Sequence, residues 1–314
     1  MSVRSHGFLG RLLGALLTLV GAVTLVFLAL RVAPGDPADN LLGDEAPAAA
    51  KQAFRERLHL NEPLLDQYAA LWRDIGSGTL GESFGVTDRP VAVSTLVFAA
   101  LPATVELALA AMLIAMLVAV PLGTVAARWQ HGPLDVASLA FAMLGAAVPV
   151  FWSGPLLLYL FAVVLHWAPD PGAPLRGIAP LILPASVLGL ALAARLTRTV
   201  RASVLDALRQ DFVTTARAKG LSEGAVLVRH VLRNAWIPIL TVMGLQLASL
   251  LSGAIITEKV FARPGLGTLL LEAISKRDYA VVQGCVLVVA LGWVLTNLAI
   301  DALYAWADPR VRRA

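Results

Sequence analysis

Few residues in this chain have the type and spacing that chemistry requires. Phosphate binding by a P-loop needs glycine N–H groups to cradle the anion and a lysine directly after a glycine, and the dipeptide Gly-Lys never occurs. His6, His59, His131, His166 and His230 form no HExxH and no pair at ligand spacing, so no metal cage is expected. No serine is read as a nucleophile, and those in apolar stretches read as helix packing. Ion-coupled transport would need ionisable groups inside apolar spans. The two candidates, Glu106 and Asp301, are expected near span ends, Glu106 at an N-terminal end where the helix dipole favours a carboxylate, so a structural role is expected for both. Gln246, Ser249 and Ser252 recur at a spacing of three, which places them on one helix face as candidates for a solute pathway. The expectation is a chain with no catalytic residue, no cofactor and no metal.

The residues with the clearest job are mechanical. From Arg195 to Trp236 run 42 mostly polar, arginine-rich residues, set between two stretches apolar enough to cross a bilayer. Asp206 to Lys219 has the pattern of a helix; Gly220 can take positive φ and end it; Ser222 can cap a second helix whose first residue, Glu223, suits the N-terminal dipole. The two helices would meet at a tight corner ringed by Arg217, Lys219 and Arg229, with Pro238 where the chain re-enters the bilayer. A compact corner of this kind can pass a rigid-body push from a partner to the spans.

The elements that must carry this corner follow from composition. Of 314 residues, 58% are hydrophobic and 15% charged, and the mean hydropathy is +0.76, values of the membrane class. A core about 30 Å thick takes about 20 apolar residues in helix. Six stretches are expected to span: roughly 12–30, 103–127, 136–165, 178–194, 237–257 and 281–300. The first is read as retained and not as a cleaved leader. Proline and glycine should break the third at Pro149, Gly154 and Pro155, and the fourth at Pro180 and Pro184. With the N-terminus inside, fourteen of the 25 Lys and Arg face the cytoplasm, eight of them between Arg195 and Arg233. The long outer segment from Arg31 to Arg89 instead carries ten Asp and Glu. Both termini are therefore expected in the cytoplasm. Trp129, Trp167, Trp236 and Trp306 fall at span edges, where an indole stays half wet. The pI of 9.6 then reports topology, and the basic residues lack the aromatic interleaving of a nucleic-acid surface. In the outer segment, 47–60 and 63–75 read as short helices, the second with an apolar stripe of Leu64, Leu65, Tyr68, Leu71 and Trp72. The run GSGTLG at Gly76 is read as a turn. Cys285 is the only cysteine, so no internal disulfide forms.

Five runs stand in order along the chain: PGDP at 34–37, LPATVELALAA at 101–111, TARAKGLSEGAVLVRHVLRNAWIP at 215–238, EKVFARPGLGTLLLEAISKRDYAVVQG at 258–284 and DALYAWADPRVR at 301–312. Together they resemble the permeases of ABC-type dipeptide, oligopeptide and nickel importers. The general permease loop begins Glu-Ala-Ala with a glycine four residues beyond the last alanine. Ala216 and Gly220 keep their places, while Thr214 and Thr215 stand at the Glu and first Ala positions, as is usual in the TARAKG branch. The resemblance implies an all-α integral membrane protein with six transmembrane helices and the type I importer (MetI-like) permease fold. Its implied layout is a cytoplasmic N-terminus with the first helix (1–32), an extracytoplasmic region (33–100), a five-helix core (101–305) and a cytoplasmic tail (306–314). It implies a coupling loop formed by Asp211, Thr215, Ala216, Arg217, Ala218, Lys219, Gly220, Leu221 and Ser222. It also implies partners: a second, homologous permease in a heterodimer, two cytoplasmic ATP-binding subunits, an extracytoplasmic solute-binding protein and the lipid of the inner membrane, with no nucleic acid. Di- or oligopeptides are the expected solutes; nickel chelates, glutathione-like compounds and opines are the alternatives, and an ion-coupled secondary carrier is the alternative of another class.

Overall fold

The computed structural model describes residues 8–43, 45–87, 89–171 and 177–307. In chain order its helices are α1 (Phe8–Val32), α2 (Pro37–Leu42), α3 (Ala48–Arg57), α4 (Leu64–Ser77), α5 (Val93–Arg128), α6 (Pro133–Ala147), α7 (Val150–Leu158), α8 (Ala179–Leu208), α9 (Asp211–Ala218), α10 (Glu223–Ala225), α11 (Leu232–Gly253), α12 (Ile255–Val260), α13 (Leu266–Ser275) and α14 (Tyr279–Ala307). A two-stranded antiparallel ladder, β1 (Glu82–Ser83) with β2 (Val91–Ala92), is the exception to the all-α expectation. Two segments, Tyr159–Val164 and Val226–Val231, wind as π-helix.

Among the described residues, five helices are long and apolar enough to cross a membrane: 13–32, 93–128, 179–208, 223–250 and 279–300. A sixth is reached if α6 and the run from α7 through Val164 count together, although they bend by 96° at the break. Val148 leaves the helical region there and Pro149, which lacks an N–H, precedes the first turn of α7. This is the break expected at Pro149; at Gly154 and Pro155, where breaks were also expected, α7 runs on as helix. The break expected in the fourth span is not found. Pro180 sits in the first turn of α8, where an N–H has no partner to lose, and Pro184 lies within the helix near that same end. Pro238 stands inside α11.

The chain divides into two compact units. The first joins residues 1–104 and 264–294, the second 105–263 and 295–314. In the first, Asp36 caps α2 by accepting from the Ala38 N–H at 2.8 Å, with Pro37 starting the helix. α4 ends at Gly78, whose φ of 78° suits glycine, so the run from Gly76 is the expected turn. Only part of the α4 stripe is covered: Tyr68, Leu71 and Trp72 pack with Val23 and Phe27 of α1, while Leu64 and Leu65 stay exposed. Asp278 ties the segment after α4 to the start of α14. Its Oδ2 accepts from Ser83 Oγ at 2.7 Å, from Phe84 N at 3.0 Å and from Gly85 N at 2.9 Å.

The second unit holds the larger core. Leu107, Ala111, Ala115 and Ala119 of α5 pack with Leu188, Leu192, Leu196 and Val200 of α8, and the same cluster continues to Ile239 of α11. Small residues let these helices approach closely. A Cβ on Gly123 would lie 2.7 Å from Val200 Cβ, and one on Gly189 would lie 2.8 Å from the Ala111 carbonyl oxygen.

Candidate functional site: a helical corner

The stretch read from sequence as a 42-residue loop is helix at both ends. α8 carries the chain to Leu208, and after the corner the helical run from Glu223 continues without a break into α11. The corner proper is therefore only α9, a four-residue turn and α10. The helix expected over 206–219 is divided at Arg209 and Gln210, between α8 and α9.

Local chemistry explains the turn. Gly220 has φ 77°, and its N–H donates to the Arg217 carbonyl at 2.9 Å; Leu221 N donates to the Ala216 carbonyl at 3.3 Å. This is the glycine C-terminal cap expected for α9. Ser222 takes up extended backbone, and its Oγ accepts from the Ala225 N–H at 3.4 Å, a long cap on α10. Arg217 then closes the corner with a fork onto Glu223, Nε to Oε1 at 2.8 Å and Nη2 to Oε2 at 3.1 Å. That contact holds the Arg217 guanidinium above its ordinary value. Arg128, at the end of α5, stands 3.7 Å from the same Glu223 carboxylate.

Burial divides the corner into an anchor and a face. Val213 and Ala216 are buried in the cluster that includes Val204 and Ala207 of α8 and Val226 and Val231 beyond the turn. Thr215, Arg217, Ala218, Lys219, Gly220, Leu221, Ser222 and Asp211 are exposed. Thr215 Oγ1 donates back to the Asp211 carbonyl at 3.1 Å. The structure thus brings all nine residues together in one corner, eight of them exposed and Ala216 buried in the cluster shared with α8.

The candidate pathway residues Gln246, Ser249 and Ser252 all lie on α11. Gln246 is buried, with Oε1 lacking a hydrogen-bond partner. The Ser249 hydroxyl donates to the Gln246 carbonyl at 2.8 Å, as a packing serine does. The Ser252 side chain lies outside the described residues, as does that of Asp301. Glu106 is not at a helix end. α5 starts at Val93 and Glu106 lies well inside it, beyond reach of the N-terminal dipole, 3.6 Å from Arg263 Nη2.

Comparison with known proteins decides the family. Residues 119–313, which include the whole corner, match the family model described as binding-protein-dependent transport system inner membrane component. This chain belongs to that family. The permease is 42% identical to the glutathione transport system permease protein GsiC of Pectobacterium atrosepticum, over 97% of this chain and 98% of that one. It is 38% identical to the dipeptide transport system permease protein DppB of Alkalihalophilus pseudofirmus (96% and 98% covered). The di/tripeptide transport system permease protein DppB of Pseudomonas aeruginosa matches at 39% (97% and 98%). An inward-facing crystal structure of the MetNI methionine ABC transporter superposes with TM-score 0.54 at 17% identity, over 68% of this chain and 96% of that one, a likeness of fold.

Two features of the permease escaped the sequence reading. Asp135, on the first turn of α6, forks onto Arg201 of α8, with Oδ1 to Nε at 2.5 Å and Oδ2 to Nη2 at 2.7 Å, and also accepts from the His131 N–H at 2.9 Å. Pro133 followed by an acid two residues on is a helix-start signal that could have marked one half of this pair. The run Gly220-Leu221-Ser222-Glu223-Gly224 also spells GxSxG. The nucleophile elbow needs a strand before the serine, whereas here α9 precedes it and the hydroxyl caps α10.

Proposed function

We propose that the permease is one of two homologous transmembrane subunits of an ATP-driven importer of di- or oligopeptides. Two cytoplasmic ATP-binding subunits would dock on the corner from Asp211 to Ser222, and a solute-binding protein would deliver peptide on the other side. The single observation that carries the coupling role is the build of the corner: its exposed face is polar, while Val213 and Ala216 fix it to the core of α8 and α11. A force applied to such a corner moves whole helices and does not dissipate in a loop. Peptide as solute is supported by relatives covering nearly the whole chain, named for dipeptides, di/tripeptides and glutathione, itself a tripeptide. The basic corner belongs on the cytoplasmic side of the inner membrane by its Arg and Lys content, and both termini follow it there.

The test is uptake into proteoliposomes containing the permease, its neighbouring permease, the ATPases and the binding protein. Labelled dipeptide, glutathione and a nickel chelate are offered in parallel. ATP-dependent entry of a peptide that also requires the binding protein is the expected result. Entry that proceeds without ATP under an ion gradient would replace the importer with an ion-coupled carrier, and entry of the chelate alone would replace the solute.

A further inference from the structure

The helical run that leads from the corner into α11 carries a basic depression that the coupling reading does not use. Val228, Arg229, His230, Arg233 and Asn234 line it. Arg229 and Arg233 are both exposed and four residues apart, which sets them on one face with Cβ atoms about 6 Å apart. Among the described residues neither guanidinium makes an ion pair or a hydrogen bond. Other arginines of the same unit have carboxylates: Arg201 has Asp135, and Arg217 and Arg128 share Glu223. Asn234 Nδ2 donates to the His230 carbonyl at 2.8 Å, which leaves the amide oxygen and a second N–H for another partner. Three of the five lining residues belong to the π-helical segment Val226–Val231, and turns of that kind recur at functional sites.

Depth in the membrane selects the occupant. This run is one of the candidate spans, and residues 234–257 carry no charge. From Asn234 to the end of α11 at Gly253 the helix is about 30 Å long. That is the thickness of the hydrocarbon core, about 30 Å. Arg233 is the last charge before that stretch, so the two guanidinium groups stand at the height of the lipid phosphates. Trp236, half-buried and three residues further on, fits the same boundary. The face that holds Asn234 continues into the core with Pro238 and Leu245, four and eleven residues on, and both are exposed. Val228 adds exposed apolar surface beside the charges.

Guanidinium groups bind phosphate oxygens in a fork, and here an uncovered apolar strip begins where the charges end. We propose that Arg229 and Arg233 hold the phosphate of an anionic phospholipid, with His230 and Asn234 against the rest of its headgroup and an acyl chain along Pro238 and Leu245. A soluble subunit could meet the charges but not the strip, which the bilayer core surrounds. The assignment needs neither ATP nor a partner subunit, so it stands or falls apart from the import reading.

Native mass spectrometry of the full chain in neutral detergent is the test. Titration with phosphatidylglycerol, or with phosphatidylcholine of the same acyl chains, reads the affinity for the first bound lipid. Each basic residue at an anionic lipid surface is worth roughly fivefold, so phosphatidylglycerol should bind roughly tenfold tighter or more. Arg229→Gln with Arg233→Gln should remove that preference and leave phosphatidylcholine and the melting temperature unchanged. Arg195→Gln with Arg198→Gln, which alters two exposed arginines of α8 outside this lining, should leave both affinities unchanged. Excess glycerol phosphate should not displace the lipid, since it lacks the acyl chain. Equal affinity for the two lipids overturns the proposal, as does an unchanged preference in the Arg229 and Arg233 variant, an equal loss in the α8 control, or displacement by glycerol phosphate. Loss of bound phosphatidylglycerol when the neighbouring permease or the ATPases assemble on the chain would give the face to a protein and overturn it too.

Discussion

Asp135 and Arg201 show what individual residues contribute. Removing the guanidinium leaves a buried carboxylate that still accepts from the His131 N–H but has lost its counter-charge. Arg201→Ala should lower stability by about 2 kcal/mol, and Arg201→Ala with Asp135→Ala should cost less than the two single changes added, because each destroys the same contact. Denaturant unfolding of the purified protein in detergent measures both. Asp74 makes a prediction in pH. Burial raises its carboxyl above the ordinary aspartate range, more than the nearby Arg73 and His59 lower it. A raised carboxyl adds stability below its unfolded value and loses it as pH rises through the folded one. Asp74→Asn should therefore be more stable than the parent at neutral pH, and the difference should vanish in acid; melting curves across that range decide it. Which residues were legible in the sequence follows the reach of their chemistry. Gly220 and Ser222 act on backbone within three residues, so their roles show in the local string. Asp135 and Arg201 are 66 residues apart, and nothing local distinguishes Arg201 from the other arginines of its stretch.

At the scale of elements, the corner depends on a backbone conformation that only certain residues adopt. A Cβ at Gly220 would meet open space, so the obstacle to substitution there is the φ of 77° and not crowding. The opposite holds at Gly189, where a side chain would strike the Ala111 carbonyl and Ile114. Gly189→Val should push α5 and α8 apart and lower the melting temperature, whereas Gly224→Ala, with nothing near its Cβ and no positive φ, should leave it unchanged. The helical spans themselves were readable because apolar runs of sufficient length have one outcome in lipid. The breaks were not uniformly readable. Pro149 ends a helix because the residue before it moves to extended backbone, but Pro184 lies so near the start of α8 that the hydrogen bond it forgoes is one of few. The string shows a proline in both cases; its position within the finished helix decides the effect. The π-helical turn at Val226–Val231 has no local signature that distinguishes it from ordinary helix.

At the scale of the whole molecule, the chain is a multi-pass membrane permease whose basic corner is proposed to take the push of its ATPases. Topology supplies a direct check. In a Cys285→Ala background, Ser222→Cys should, on the proposed orientation, react with a membrane-impermeant maleimide only after the cytoplasmic face is opened. Labelling of intact cells would reverse the orientation. The membrane class was legible because composition is a property of the entire chain; that α8 and the run into α11 reach the corner as continuous helices was not, because the polar stretch reads as a loop. The central claim is that the corner couples ATP hydrolysis to solute movement. The most direct measurement is ATP-driven uptake by the reconstituted importer carrying Gly220→Val beside one carrying Gly220→Asn. Asparagine tolerates positive φ and valine does not. The account predicts uptake near the parent level for Gly220→Asn and at least a tenfold loss for Gly220→Val with the ATPases still bound; full uptake by the valine variant would contradict it.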